Sequence, residues 1–316
     1  MITSQVARRD LVATMSSWRE RYQTHPTGRA LDRLALPAML ILGVIFGIGQ
    51  ALHLTQKPLD FVLYWKATNF ADLYPPNWLS NDYAYVYPPP MAQLLLPFHV
   101  LPFDVAAVGW SVVCFASMWY VARAWSLPLI VLGLIGAAIG LSHAATVFLE
   151  YVLLGNVQWP MAAGIVLAMR APAAWAIPIL TKIGPGIGAL WLVFKRDWTG
   201  LRAALLASLI VAGISFILAP AAWIEFVTFS VENYGGPSIV PIVGPPLPIR
   251  LLAAAVLVWI AARTDQRWLV YIAAGIAIPA LYEWSFLPVW IAAVRGFGLR
   301  RRQPAAVTAS SPVPVS

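Results

Sequence analysis

Charge is what this chain has least of. Only 11% of its 316 residues are Asp, Glu, Lys or Arg, and 60% are hydrophobic. Soluble domains carry about a quarter charged residues, so an ordinary water-soluble globule is excluded. Cysteine is nearly absent too. Cys114 stands alone, which rules out an intrachain disulfide, and its apolar surroundings make it a small core hydrophobe. No Asp-x-Asp pair and no His/Cys cluster offers a metal site, so metal-independent chemistry with no cofactor is expected. Gly-rich phosphate cradles and nucleophile-elbow sequences are missing. So is any short internal repeat, which weighs against an inverted-repeat transporter. Nothing at the start reads as a cleavable signal, because the first 33 residues are polar and charged.

Long apolar runs dominate what is present. Their length suits helices, whereas a membrane barrel would show shorter alternating segments. The formal charge of +8 invites a nucleic-acid reading, but its placement argues against one. Arg8, Arg9, Arg19, Arg21, Arg29 and Arg33 precede the first run; Arg295, Arg300, Arg301 and Arg302 follow the last. That is the positive-inside pattern, and it puts both termini in the cytoplasm. Val6, Leu11, Met15, Trp18 and Tyr22 can share one face of an interfacial helix.

The expected architecture is all-α and polytopic, with about eight to ten membrane-embedded helices including re-entrant hairpins. Residues 1–33 form a basic cytoplasmic segment, 34–299 the membrane domain, and 300–316 a disordered cytoplasmic tail. The first span covers Leu34 to Leu54. An outer loop, 55–90, follows, with a short helix between Phe61 and Tyr74 that lies on the membrane. Tyr85-Val-Tyr-Pro-Pro-Pro90 stops any helix, and Asp104 is a candidate N-cap for the next one. Spans follow to Trp125, from Pro128 to Phe148, and from the break at Gly155-Asn-Val-Gln158 to Arg170. Between Pro172 and Phe194 both ends are basic and prefer the cytoplasm. Two half-length helices meeting near Lys182 and Pro185 satisfy both. Leu201 to Ala219 leads outward to a second outer loop, 220–248. Leu251 to Ala262 returns, and Trp268 to Val294 holds two short helices or a hairpin broken near Pro279 and Glu283.

In so sparsely charged a chain, an acid at the mouth of the first span reads as chemistry before solvation. That acid is Asp60. Lys182 lies in a strongly apolar hairpin, where an ammonium needs a partner; Glu150 is one candidate. Asn156 and Gln158 either bind a polar ligand or tie off a helix end. His143 reads as a hydrogen-bonded core residue, and Glu150 and Glu283 as membrane acids that pair or cap. Asp72 and Asp82 sit in a wet loop and need no role.

Three blocks in this order resemble glycosyltransferase family 87, membrane enzymes of the GT-C class that use polyprenyl-phosphate sugars. They are Asp60-Phe61 with Tyr64 and Tyr85-Val-Tyr-Pro-Pro89; Gly155-Asn-Val-Gln158; and Leu180-Thr-Lys-Ile-Gly-Pro185 with Lys195-Arg-Asp-Trp198. The resemblance covers about residues 58–235. It departs at Gly155-Asn-Val-Gln158, where the family carries Gly-Gln-x-Asn.

The resemblance implies a GT-C-like fold and an inverting hexosyltransferase in a bacterial inner membrane, similar to polyprenyl-phosphate-mannose-dependent α-1,2-mannosyltransferases. Its donor would be a polyprenyl-phosphate sugar, with mannose favoured. Its acceptor would be a lipid or glycan at the extracytoplasmic face. Asp60 would be the general base, and Lys182, Lys57 or Lys66 would meet the donor phosphate. Asn156 and Gln158 would contact the sugar, and Tyr64, Tyr85 and Tyr87, with Trp65 and Trp78, are placed to stack on it. Membrane lipids are its surroundings, and no nucleic acid is expected as a partner. A transporter or flippase, and a non-catalytic subunit of an envelope-synthesis complex, are the other readings.

Overall fold

The structure is a computed structural model that describes residues 25–53, 58–70, 73–74, 85–122, 151–234, 245–279 and 285–297. Among them there are helices and no strand, as the apolar runs require. The Val6–Tyr22 face, Lys57, Asp72, Trp78, Asp82, the 128–148 span with His143, then Glu150, Glu283 and the tail from 300, all lie outside the described residues.

Among the described residues, four helices are long and apolar enough to cross a membrane: α1 (Pro26–Ala51), α4 (Phe103–Ala122), α8 (Trp198–Leu218) and α10 (Leu247–Thr264). Between α1 and α4 lie two short helices, α2 (Leu59–Lys66) and α3 (Pro89–Gln93). After α4 come α5 (Gln158–Ala168), α6 (Ala176–Lys182) and α7 (Leu190–Phe194). Helix α9 (Pro220–Tyr234) joins α8 to α10, and α11 (Trp268–Ile276) and α12 (Leu287–Phe297) complete the set.

Helix α1 starts at Pro26, earlier than the apolar run suggests. A proline suits a first helical position, and the His25 ring accepts a bond from Thr27 N at 3.3 Å. Gly43 and Gly47 sit one turn apart on α1, where a Cβ would come 2.8 and 2.7 Å from the backbones of Val112 and Val108. Small residues at that spacing let α1 and α4 approach closely, the usual packing device in lipid.

Three expectations need correction. Asp104 is not the N-cap of α4, because the Pro102 carbonyl already accepts from Ala106 N at 3.1 Å; the acid lies in the first turn and favours the helix dipole there. The short outer helix ends at Lys66 and tightens to a 3₁₀ turn through Asn69, which Phe70 stops with φ 55°. The segment 220–248 is not a plain loop: α9 occupies its first 15 residues. Ala222, Phe226 and Phe229 recur at helical spacing on its buried side, a pattern masked by Glu225, Glu232 and the Gly/Pro run beyond.

The 172–194 segment is broken as its basic ends demand. Helix α6 ends at Lys182, Ile183 breaks the helix with φ 49° and ψ −62°, and a 3₁₀ stretch from Gly184 to Ala189 leads into α7. A Cβ on Gly200 would lie 3.0 Å from the Pro172 ring, so the start of the hairpin adjoins the start of α8 just past its end. Lys195 pairs with Asp265 at 2.9 Å beyond the end of α10, across an exposed surface where such a pair adds little stability. The outward side chains of α8, from Leu205 and Leu209 to Ile217, are left exposed. Water would not tolerate that stripe; hydrocarbon suits it.

Candidate active site

Asp60 sits in the first turn of α2, where the helix dipole favours a carboxylate. Its backbone N–H donates to Leu154 O at 3.0 Å, which ties α2 to the turn before α5. That turn has unusual geometry. Gly155 takes φ +70°, and a Cβ there would meet Trp110 and Phe61 at 3.1 and 3.2 Å, so glycine is required twice over. Trp110 Nε1 donates to Gly155 O at 2.6 Å, and the Gln50 amide donates to Leu153 O. Three helices, α1, α2 and α4, hold this turn in place.

The turn aims Asn156 at Asp60. Asn156 Nδ2 donates to Asp60 Oδ2 at 3.0 Å, while its Oδ1 accepts from Gln158 N at 2.9 Å. The second bond decides the amide's orientation, since only the oxygen can accept from an N–H. Asn156 therefore ties off the start of α5 and orients the carboxylate at once. Gln158 is buried beneath, and its side-chain carbonyl oxygen has no hydrogen-bond partner among the described residues.

One turn along α2, Tyr64 shares the face of Asp60 and is fully buried. Its hydroxyl accepts from Val157 N at 3.2 Å and donates to Tyr87 Oη at 3.3 Å. Burial, then Tyr87 and the Asp60 carboxylate, raise the Tyr64 pKa well above the ordinary phenol value, so the proton for that bond stays in place. Tyr87 stands edge-on to Tyr64 with ring centroids 5.2 Å apart, and Tyr85 packs beside it at 5.7 Å. The Tyr85 hydroxyl is committed to Pro88 O at 2.8 Å. Consecutive prolines hold this segment extended while leaving its carbonyls free to accept.

Lys182 completes the group. Its Nζ lies 5.1 Å from the centre of the Tyr87 ring, within cation–π range, and it is near enough to interact electrostatically with the Asp60 carboxylate. Tyr87 and Lys182 both line a cavity of about 430 Å³ that runs on between α9 and α10. Phe226, Leu247, Leu251 and Pro279 make its walls apolar. Ser230 is the other polar side chain lining it, and its buried hydroxyl has no hydrogen-bond partner among the described residues.

The fold thus brings together Asp60, Asn156, Tyr64, Tyr87 and Lys182, with Tyr85 and Gln158 just behind them. Lys66 is not brought in: it is exposed at the far end of α2. Trp65 turns away from the cavity and stacks on His99 at 3.8 Å. Reading the chain alone misses Ser230, Gln50 and Arg250, whose buried guanidinium lies behind the cavity wall. Arg250 does carry a signal. It is an arginine at the start of a span whose basic end, Arg263 and Arg267, lies at the other terminus.

Fold and site together define a membrane protein with a fixed carboxylate, and a cation near it at the head of a greasy cavity. A model of glycosyltransferase family 87 matches residues 85–311, and the chain belongs to that family. Membership makes it a membrane glycosyltransferase. The match extends through the C-terminal third, further than the motifs alone suggest, and begins after Asp60. No curated protein and no solved structure matches the chain.

Proposed function

We propose that the protein transfers a hexose, mannose by preference, from a polyprenyl-phosphate donor to a hydroxyl of a lipid or glycan at the extracytoplasmic face of a bacterial inner membrane. The observation that carries this reading is the half-buried Asp60 carboxylate, oriented by Asn156, beside a cavity lined by Lys182, Tyr87 and a Ser230 hydroxyl that has no hydrogen-bond partner among the described residues.

Each part has a task. The acceptor hydroxyl attacks the anomeric carbon as Asp60 takes its proton; the new C–O bond forms while the bond from that carbon to the phosphate oxygen breaks. The leaving polyprenyl phosphate departs with the electron pair, and the configuration inverts. Asp60 suits this because the hydroxyl turns acidic only as the bond forms, and a positioned base supplies about 10²–10⁴-fold. The phosphate is already a good leaving group, so it needs stabilising charge more than a proton donor. Lys182 supplies the charge and Ser230 a hydrogen bond. The volume of about 430 Å³ suits a sugar phosphate and the first isoprene units. The remaining tail lies against the exposed apolar faces of α9 and α10.

The test is replacement of Asp60 by Asn. Purified Asp60→Asn protein in liposomes should insert and melt as the parent does, yet transfer mannose from polyprenyl-phosphate mannose at least about 10²-fold more slowly. Undiminished transfer would take Asp60 out of the reaction.

A further inference from the structure

Arg250 is an expensive residue to have where it is. It lies in the first turn of α10, is 4% exposed, and carries a charge that burial penalises. Its bonds explain how the charge is tolerated. Nε donates to Pro245 O at 2.9 Å, one terminal nitrogen donates to Ile276 O at 3.0 Å and Ile278 O at 2.6 Å, and the other to Pro279 O at 2.8 Å. Three of those carbonyls belong to the C-terminal end of α11 and the residues just after it. Helix ends leave such groups without internal partners, and a cation there also meets the negative end of the helix dipole.

The clamped segment presses on the Lys182 loop. A Cβ on Gly184 would come 1.9 Å from Ala277 O and 3.2 Å from the Pro279 ring, so the two backbones touch with no side chain between them. Gly184 follows Ile183, a β-branched residue at φ 49° and ψ −62°, where L side chains are strained. Strain of that kind survives only where the surroundings leave the chain no alternative. The 276–279 turn is part of those surroundings, and Arg250 bonds three of its carbonyls. Pro279, Lys182 and Gly184 are also neighbours around one cavity.

We propose that Arg250 is a positioning residue for Lys182. By tying Ile276, Ile278 and Pro279 to the head of α10, it braces the Gly184 contact, and so the strained Ile183 that presents the lysine to the cavity. This extends the reading of the cavity as a donor site. The brace itself is independent of what the cavity binds.

Two measurements decide it. The first is hydrogen–deuterium exchange on the full-length protein in detergent, comparing the parent with Arg250→Gln and Arg250→Lys. Exchange in the peptide spanning residues 182–187 should quicken several-fold in the glutamine variant and less in the lysine variant, while α5 stays as protected as before. Unchanged exchange at 182–187 would overturn the brace, whatever the protein's activity. Should Arg250→Gln fail to fold, Arg250→Lys and Gly184→Ala, which strikes the same contact from the other side, carry this arm.

The second is a double-mutant cycle with Lys182→Met, read as kcat and KM for polyprenyl-phosphate mannose. Each single change should lower kcat/KM about tenfold or more, and Arg250→Gln should divide its loss between kcat and KM as Lys182→Met does. The double variant should match Lys182→Met alone, because residues acting through one another are not additive. Additive losses would show that Arg250 acts by some other route. Absence of turnover by the parent protein would count against the donor-site reading and leave the exchange result to judge the brace.

Discussion

Asn156 shows how one side chain can serve the helix and the site together. Its carbonyl oxygen accepts from the first N–H of α5 and its amide nitrogen holds Asp60, so a change that spares the first duty isolates the second. Asn156→Asp is that change. The new carboxylate still accepts from Gln158 N–H, but it sets a second negative oxygen about 3 Å from Asp60, and two carboxylates so placed share a proton. We expect a melting temperature close to the parent's and a kcat lower by about 10² or more. Transfer at the parental rate would mean that the amide does not hold the base.

The two charged members of this site are legible in the chain alone, because an acid or a lysine inside apolar sequence demands a reason. Their connection is not. Asn156 and Asp60 are 96 residues apart, and nothing local in either neighbourhood names the other. Arg250 is legible only as an anomaly of charge placement, since its partners are main-chain carbonyls and any residue can supply those.

Among the elements, the hairpin between Pro172 and Phe194 follows from its flanking charges, and no periodicity is needed to see it. Helix α9 is harder. Its buried stripe is short and its other side mixes Glu225 and Glu232 with exposed Ile224, Val227 and Val231. Only a membrane surface makes sense of that combination. The α1–α4 seam offers a sharper check. Gly47→Ala drives a methyl into the Val108 backbone, whereas Gly109 on α4 has nothing among the described residues within 4 Å of a built Cβ. Overpacking costs roughly 1–3 kcal/mol, while alanine for glycine in an open helix position gains up to about 1 kcal/mol. Melting in detergent should therefore fall by several degrees for the first and hold or rise for the second. Equal melting of the two would contradict the seam.

The whole molecule is polarised along α10. That helix has 18 residues, a length of about 27 Å. The cavity and Lys182 lie at its start; the Lys195–Asp265 pair lies just past its end, near Arg263 and Arg267. In the orientation we propose from the positive-inside rule, the cavity faces away from the cytoplasm. Cys114, buried and the single cysteine, leaves a silent background for mapping this. An impermeant maleimide should label Glu225→Cys in intact cells and Thr264→Cys only after the cells are opened. The reverse order would invert the protein in its membrane and place the site on the other side.

The apolar outer face of α10 carries one more consequence. On the proposed reading, a lipid-borne donor reaches the cavity along that face, from within the bilayer. Crowding there is measured in molecules per leaflet, so an inert lipid spread between the ligands would starve the site even as the amount in the test tube stayed the same.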